Sequence, residues 1–342
     1  MSGSLPRRVA LLACALAASG GCSTGGALQL SELPASPVAV LYRNESAATK
    51  HAGAMKDLEE RQQGGGGHGL VRLEDLDALF GGVPDAAKRV AEPGHLALID
   101  PHTGRATEVI DNVPPGAHPL GWSPDRKTLL LAGRWRDGTQ LFAWDRAAGT
   151  VQILTSGPYE HPQGCLLADG RLVALEIDAS GGKKISRLVA TPKGGTGVRP
   201  LTEGPSEAQP ACSPTEDQIA NVTIGSDGVP VIVVRTLDAP QWPHLAARGF
   251  NPTFTPDGKW ILFAAKTQQG KRVFRVRPDG SGRSAVSQST QEESEPAVSP
   301  DGRYVAYVVE QDHRDKLWVR RIDLTGGDRP LLGDGDGVSP VW

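Results

Sequence analysis

At 342 residues the chain has room for one large β domain or two ordinary ones. Hydrophobic residues make up 39% and charged residues 22%, while 42 Gly and 27 Pro supply the turn formers of many short strands rather than of long helices. A formal net charge of −3, with Lys and Arg scattered along the chain, leaves no broad basic face and sets nucleic acid aside as a partner.

The first residues read as an export segment. Arg7 and Arg8 form a positive start, residues 9–18 an apolar run too short to span a bilayer, and Ser19, Gly20 and Gly21 a small-residue cleavage region before Cys22. A Cys directly after small residues at the end of such a run resembles a bacterial lipobox, with Ser19 standing where that family usually carries Leu. The resemblance implies a signal peptide over 1–21, lipid attachment at Cys22 and a lipidated linker over 22–35. Two or three acyl chains give the hold on a membrane that a single chain lacks. It also implies the periplasmic side of a bacterial envelope. Ser23 lacks the Asp of inner-membrane retention, which points to the outer membrane. The plainer alternative is an ordinary secretory signal with an incidental Cys. Cys14, after Leu11, Leu12 and Ala13, fits the local pattern but leaves residues 9–13 as too short an apolar run.

Residues 37–42 then form a strand candidate, and 43–93 form a long insertion. Within it, 55–63 is a charged helix candidate and Gly64 to Gly67 a flexible break. Leu73, Leu76 and Phe80 recur at spacings of three and four, as on a short amphipathic helix, and 85–90 is a further short helix. Such an insertion either packs on the main domain or serves to dock a partner or cover a pocket.

From residue 94 onward a repeat dominates. Pro119, Pro162, Pro210, Pro252, Pro296 and Pro340 recur at intervals of 42 to 48 residues. After most of them comes a bulky residue (Trp122, Leu166, Cys212, Phe254, Val298) and then a turn, whose fullest copy is Ser299-Pro300-Asp301-Gly302. Ser first, Pro fixing φ second and Gly fourth suit a type I turn between two strands. Apolar runs follow at 128–132, 172–177, 218–224, 260–264 and 304–309. Third strands follow at 140–144, 184–190, 231–237, 272–276 and 317–322, with a short fourth after each, and nothing helical stands between.

These copies resemble the WD40-like PD40 repeat of TolB-type β-propellers, whose pattern is Pro, any residue, an aromatic, Ser-Pro-Asp-Gly and an apolar strand. The copies are not uniform. Blade two has Arg126 for Gly, blade three lacks the Ser-Pro pair, and blade four has Thr215-Glu216 for Asp-Gly. The resemblance implies an all-β, six-bladed propeller of four-stranded antiparallel blades over 36–342. Its ends are incomplete: 94–100 and 107–110 look like the last strands of a blade, and Ser339 to Trp342 like a first strand alone. One composite blade, with its first strand from the end of the chain and the other three from the start, removes both open edges.

Candidate chemistry is sparse. No Gly-x-Ser-x-Gly elbow, His-Glu-x-x-His, Cys-x-x-Cys or phosphate-cradling glycine loop occurs, so neither a catalytic residue nor a cofactor is assigned. His118 and His161 each precede the leading proline of a blade. They could share a metal in the funnel or simply face solvent, the second being preferred. Gly333-Asp334-Gly335-Asp336-Gly337 has oxygen-donor spacing but lacks the rest of a calcium loop, so no metal site is assigned there either. Cys165 and Cys212 lie on neighbouring blades one position out of phase, with side chains expected on opposite faces of their strands. A disulfide and two buried thiols both remain open.

The reading that follows is a non-enzymatic TolB-like envelope lipoprotein, monomeric, that binds or scaffolds envelope proteins through its loops. TolB-type proteins carry an α/β domain ahead of the propeller that has no counterpart here, so docking to the Tol system does not carry over. The alternative is a metal-dependent hydrolase or lyase acting on a carbohydrate or lactone in the funnel.

Overall fold

The Ser-Pro-Asp-Gly copies build the hairpins their residue types predict. In the fullest copy the Gly302 N–H donates to the Ser299 carbonyl at 2.9 Å, and Gly302 takes φ 72°, open to glycine at no steric cost. The Ser299 hydroxyl donates to Asp301 at 2.6 Å and accepts the Tyr304 N–H at 2.9 Å, locking the turn to the next strand. Thr255 repeats the arrangement with Asp257 and the Trp260 N–H. In blade two Arg126 holds the same place at φ 59°, so the turn survives the loss of Gly.

The computed structural model describes residues 26–63, 94–181, 184–194, 197–287 and 291–342. The expected signal peptide and Cys22 lie outside them, as do the glycine break and the helices expected at 73–80 and 85–90. The described strands form six four-stranded antiparallel sheets. The inner strands are Asp336–Val341, His118–Trp122, Glu160–Leu166, Ala208–Cys212, Phe250–Phe254 and Glu292–Val298. Each touches the next and the last touches the first, so the ring is closed around a central channel.

Blade one is composite, as expected: Asp336–Val341, then Val38–Arg43, His95–Asp100 and Arg105–Val109. Val341 pairs with Ala39 and Asp336 with Arg43. Trp342 is buried, donates its indole N–H to the Ser36 carbonyl at 3.0 Å and packs against Tyr304. Its main-chain oxygen accepts Arg126 Nη1 at 2.7 Å.

The second strands lie between two neighbouring sheets, so both of their faces are covered. Leu129 to Ala132, Ile261 to Ala264 and Val305 to Tyr307 are all fully buried, which explains continuous apolar runs where a half-buried strand would alternate. The core is therefore a set of seams. One joins Val222, Ile232 and Val234 of blade four to Phe254, Ile261 and Phe263 of blade five.

Three local expectations change. The helix runs Glu45–Gln63, a longer element than 55–63, because Asn44 caps it: its side chain accepts the Ala47 N–H at 3.0 Å. Residues 26–35, expected within a linker, pack on blade six, with Leu28 and Leu33 buried beside Tyr304.

The third change concerns the two cysteines, which form a disulfide with Cα atoms 5.6 Å apart. Stacked blades meet with opposite faces, the front of one against the back of the next. Residues one position out of phase in the repeat therefore point towards each other across the gap. The phase difference expected to separate the thiols is the condition for joining them.

Candidate functional site

The channel wall is built by a bulge repeated in the inner strands. Gln209, Asn251, Glu295 and Ser339, each just before its leading proline, have φ of 49°, 52°, 51° and 51°, and each sits at a register shift against the second strand. A bulge re-aims a side chain and increases twist. Here the re-aimed groups are half-buried and reach sideways to the neighbouring blade. Gln163 accepts the Gln209 N–H at 2.6 Å, Gln209 accepts the Asn251 N–H at 2.7 Å, and Glu295 accepts the Ser339 N–H at 2.7 Å. The His118 ring contacts the main chain of Pro162 in the same sense. These contacts form a polar belt that stitches consecutive inner strands together.

Burial in this wall pushes Glu295 up, against the pull of the Ser339 N–H and Lys271. It pushes His118 down, favouring the neutral ring. His161 does not join His118. It is 2% exposed, with Nδ1 3.0 Å from Gln140 Oε1 and Nε2 3.5 Å from Glu176, which also binds Arg187. The shift in blade two falls between Pro119 and Gly121, and that in blade three between Glu160 and Gln163. Equal places in sequence thus become unequal places in register, and the two imidazoles face different surroundings.

The other chemistry-bearing cluster lies at the end of the ring that carries the connections between blades and between second and third strands. Glu45, in the first helical turn, accepts Arg314 at 3.0 and 2.9 Å and the Gly335 N–H at 3.1 Å. These partners hold its carboxyl at about 2. Arg314 also donates to Asp336 at 2.8 Å, and Asp336 is fully buried. The Gly335 carbonyl accepts Lys316 at 2.7 Å. The 333–337 segment is thus tied to Arg314, Lys316 and Glu45, and its two carboxylates part, Asp334 exposed and Asp336 inside. Beside it Asp315, 3.9 Å from Arg43, is pushed up to about 7 by burial and by Glu295 and Glu310. Lys271 bridges Glu292 and Glu310 at 3.5 and 3.3 Å. The result is a charged rim over blades five, six and one, with the helix pinned across it.

No family model matches the chain. It is 28% identical over 235 residues to an uncharacterized protein of Agrobacterium fabrum, covering 65% of this chain and 79% of that one. The structure of TolB from Acinetobacter baumannii matches with a TM-score of 0.64 at 15% identity, over 92% of this chain and 68% of the other. The fold is that of a TolB-type propeller. An oligogalacturonate lyase in complex with manganese shares it at a TM-score of 0.52 and 14% identity, over 70% of each chain. The ring alone therefore does not choose between a binding module and an enzyme.

Sequence reasoning missed the belt and the rim. The belt had a signal, a polar residue before each leading proline. The rim was marked only at its 333–337 segment, since Glu45 lies 269 residues from Arg314 and meets it and Asp336 only through the composite blade.

Proposed function

We propose that the chain is a non-enzymatic, lipid-anchored envelope protein, a TolB-like propeller on the periplasmic side of the outer membrane that binds or scaffolds another envelope protein. The observation that carries this reading is the belt. Gln163, Gln209 and Glu295 engage the backbone N–H groups of neighbouring blades, so the wall acts as a seam and the accessible chemistry lies on the rim. There the helix Glu45–Gln63 is held by Arg314 over a charged surface, a construction suited to presenting an element to a partner.

Crosslinking from membranes, with the full chain and with residues 45–92 deleted, tests this reading. A discrete envelope partner captured by the first and lost by the second supports it. Equal capture by both defeats docking through the insertion. Metal bound stoichiometrically to the purified protein would favour hydrolase or lyase chemistry in the funnel instead.

A further inference from the structure

The place where the chain joins the ring limits which end can face a membrane. In every blade the turn between first and second strands and the turn between third and fourth strands lie at one end of the propeller. The helix Glu45–Gln63, between second and third strands of blade one, lies at the other. The N-terminal strap is bound at the turn end of blade six. The Gly26 carbonyl accepts Arg321 at 3.1 Å, the Leu28 N–H donates to Gly326 at 3.1 Å, and Glu32 pairs with Arg321. Among the described residues the strap's contacts start at Gly26, and only four Cα-to-Cα steps lead to it from Cys22. At full extension they span at most about 14 Å. Inner and second strands of up to eight residues make the ring roughly 25 Å deep, so a tether of that length cannot reach around it.

The turn end near this exit carries exposed apolar and cationic groups together. Trp242, in the third-to-fourth turn of blade four, is 76% exposed, Leu245 beside it 58%, and Leu324, in the equivalent turn of blade six, 39%. His244 ties the first of these turns to the Pro278 carbonyl of blade five at 2.7 Å. In blade five Arg275 and Arg277 lie 4.7 and 4.9 Å over Trp260, and Arg283 lies 4.5 Å over Phe274. Arg277 and Arg283 are exposed, while Asp279 on the same turn is engaged by the Ser281 N–H at 2.8 Å. Tryptophan beside arginine is the combination that settles at a lipid–water boundary, with the ring among the headgroups and the guanidinium on phosphate.

We infer that the turn end of blades four to six is the membrane-facing surface of the protein, with Trp242 and Leu324 seated in the headgroup layer and Arg277 and Arg283 on lipid phosphates. This rests on acylation at Cys22. Because Asp279 and Asp323 share these turns, apolar insertion outweighs charge, and salt weakens the contact only modestly.

The full chain in vesicles of phosphatidylethanolamine and phosphatidylglycerol provides the test. A fluorophore is placed at Trp242→Cys or Leu324→Cys, and at Trp135→Cys, 45% exposed at the opposite end, as the control. With Cys14 lost in the cleaved signal peptide, the disulfide and the acylated Cys22 leave only the introduced thiol to react. Brominated lipids are expected to quench both turn-end labels at least threefold more than the control. Acylated protein that floats with the vesicles yet is quenched equally at both ends overturns the orientation alone. A mass spectrum without acyl chains on Cys22 overturns the anchoring and the orientation with it. Trp242 is too exposed for its replacement to disturb the fold.

Discussion

Cys165 and Cys212 join blades three and four across the gap between their inner strands, closing a stretch of 47 residues. A cross-link of that length removes loop entropy from the unfolded chain worth about 4 kcal/mol at most. Cys165→Ala with Cys212→Ala, or reduction, is therefore expected to lower stability by about 2 to 4 kcal/mol while the ring still closes. Thermal unfolding with and without reductant checks this, and an unchanged Tm would contradict it.

Trp342 joins the ends of the chain through Ser36, Tyr304 and Arg126. Trp342→Ala leaves a cavity in the seam between blades six and one and is expected to cost about 3 to 5 kcal/mol. Arg126→Ala removes one hydrogen bond to the Trp342 main chain and is expected to cost about 1 to 2 kcal/mol. Denaturant titration ranks the two, and an equal or reversed order would argue against closure through the indole.

Asp315 gives the fold an unusual pH slope. Its carboxyl, 3.8 when unperturbed, is pushed up to about 7 by burial and by Glu295, Glu310 and Asp336, against Arg43. Between these two values the folded state holds a proton that the unfolded state has lost, so stability falls as pH rises through this window. Asp315→Asn is expected to match the parent near pH 4 and to exceed it at pH 8 by on the order of 2 kcal/mol. Urea titrations at the two pH values read this directly, and a constant difference between the proteins would refute it.

Glu45 behaves in the opposite sense. Arg314 and the Gly335 N–H hold it at about 2, so its contribution is present above the ordinary carboxylate range and is lost as pH falls towards 2. Glu45→Gln is expected to loosen the helix at neutral pH. Amide exchange over residues 46–56 should accelerate severalfold while blade four stays protected. Unchanged exchange would mean that other contacts hold the helix.

The fold was readable because its information is local and repeated. A Ser-Pro-Asp-Gly turn needs four residues to declare itself, and a buried second strand needs six. The two half-blades at the ends followed from counting strands. The site was harder to read because it depends on register. Both inner strands carry one extra residue, but it falls after Pro119 in blade two and before Gln163 in blade three, which turns His161 into the protein while His118 stays on the wall. The cysteine phase is legible in the sequence, but the stacking of opposite faces between blades reverses its meaning. The start of the helix at Asn44 was available as a capping residue, yet residues 45–54 carry no apolar stripe to draw attention to it.

Photo-crosslinking in intact envelopes compares the two ends of the ring most directly, with the reactive residue at exposed Lys56 on the helix or at exposed Asp257 on the opposite turn. One discrete protein adduct from Lys56 and none from Asp257 is the expected result. A protein adduct from Asp257 with none from Lys56 would contradict a partner-binding helix end set opposite a membrane-facing turn end.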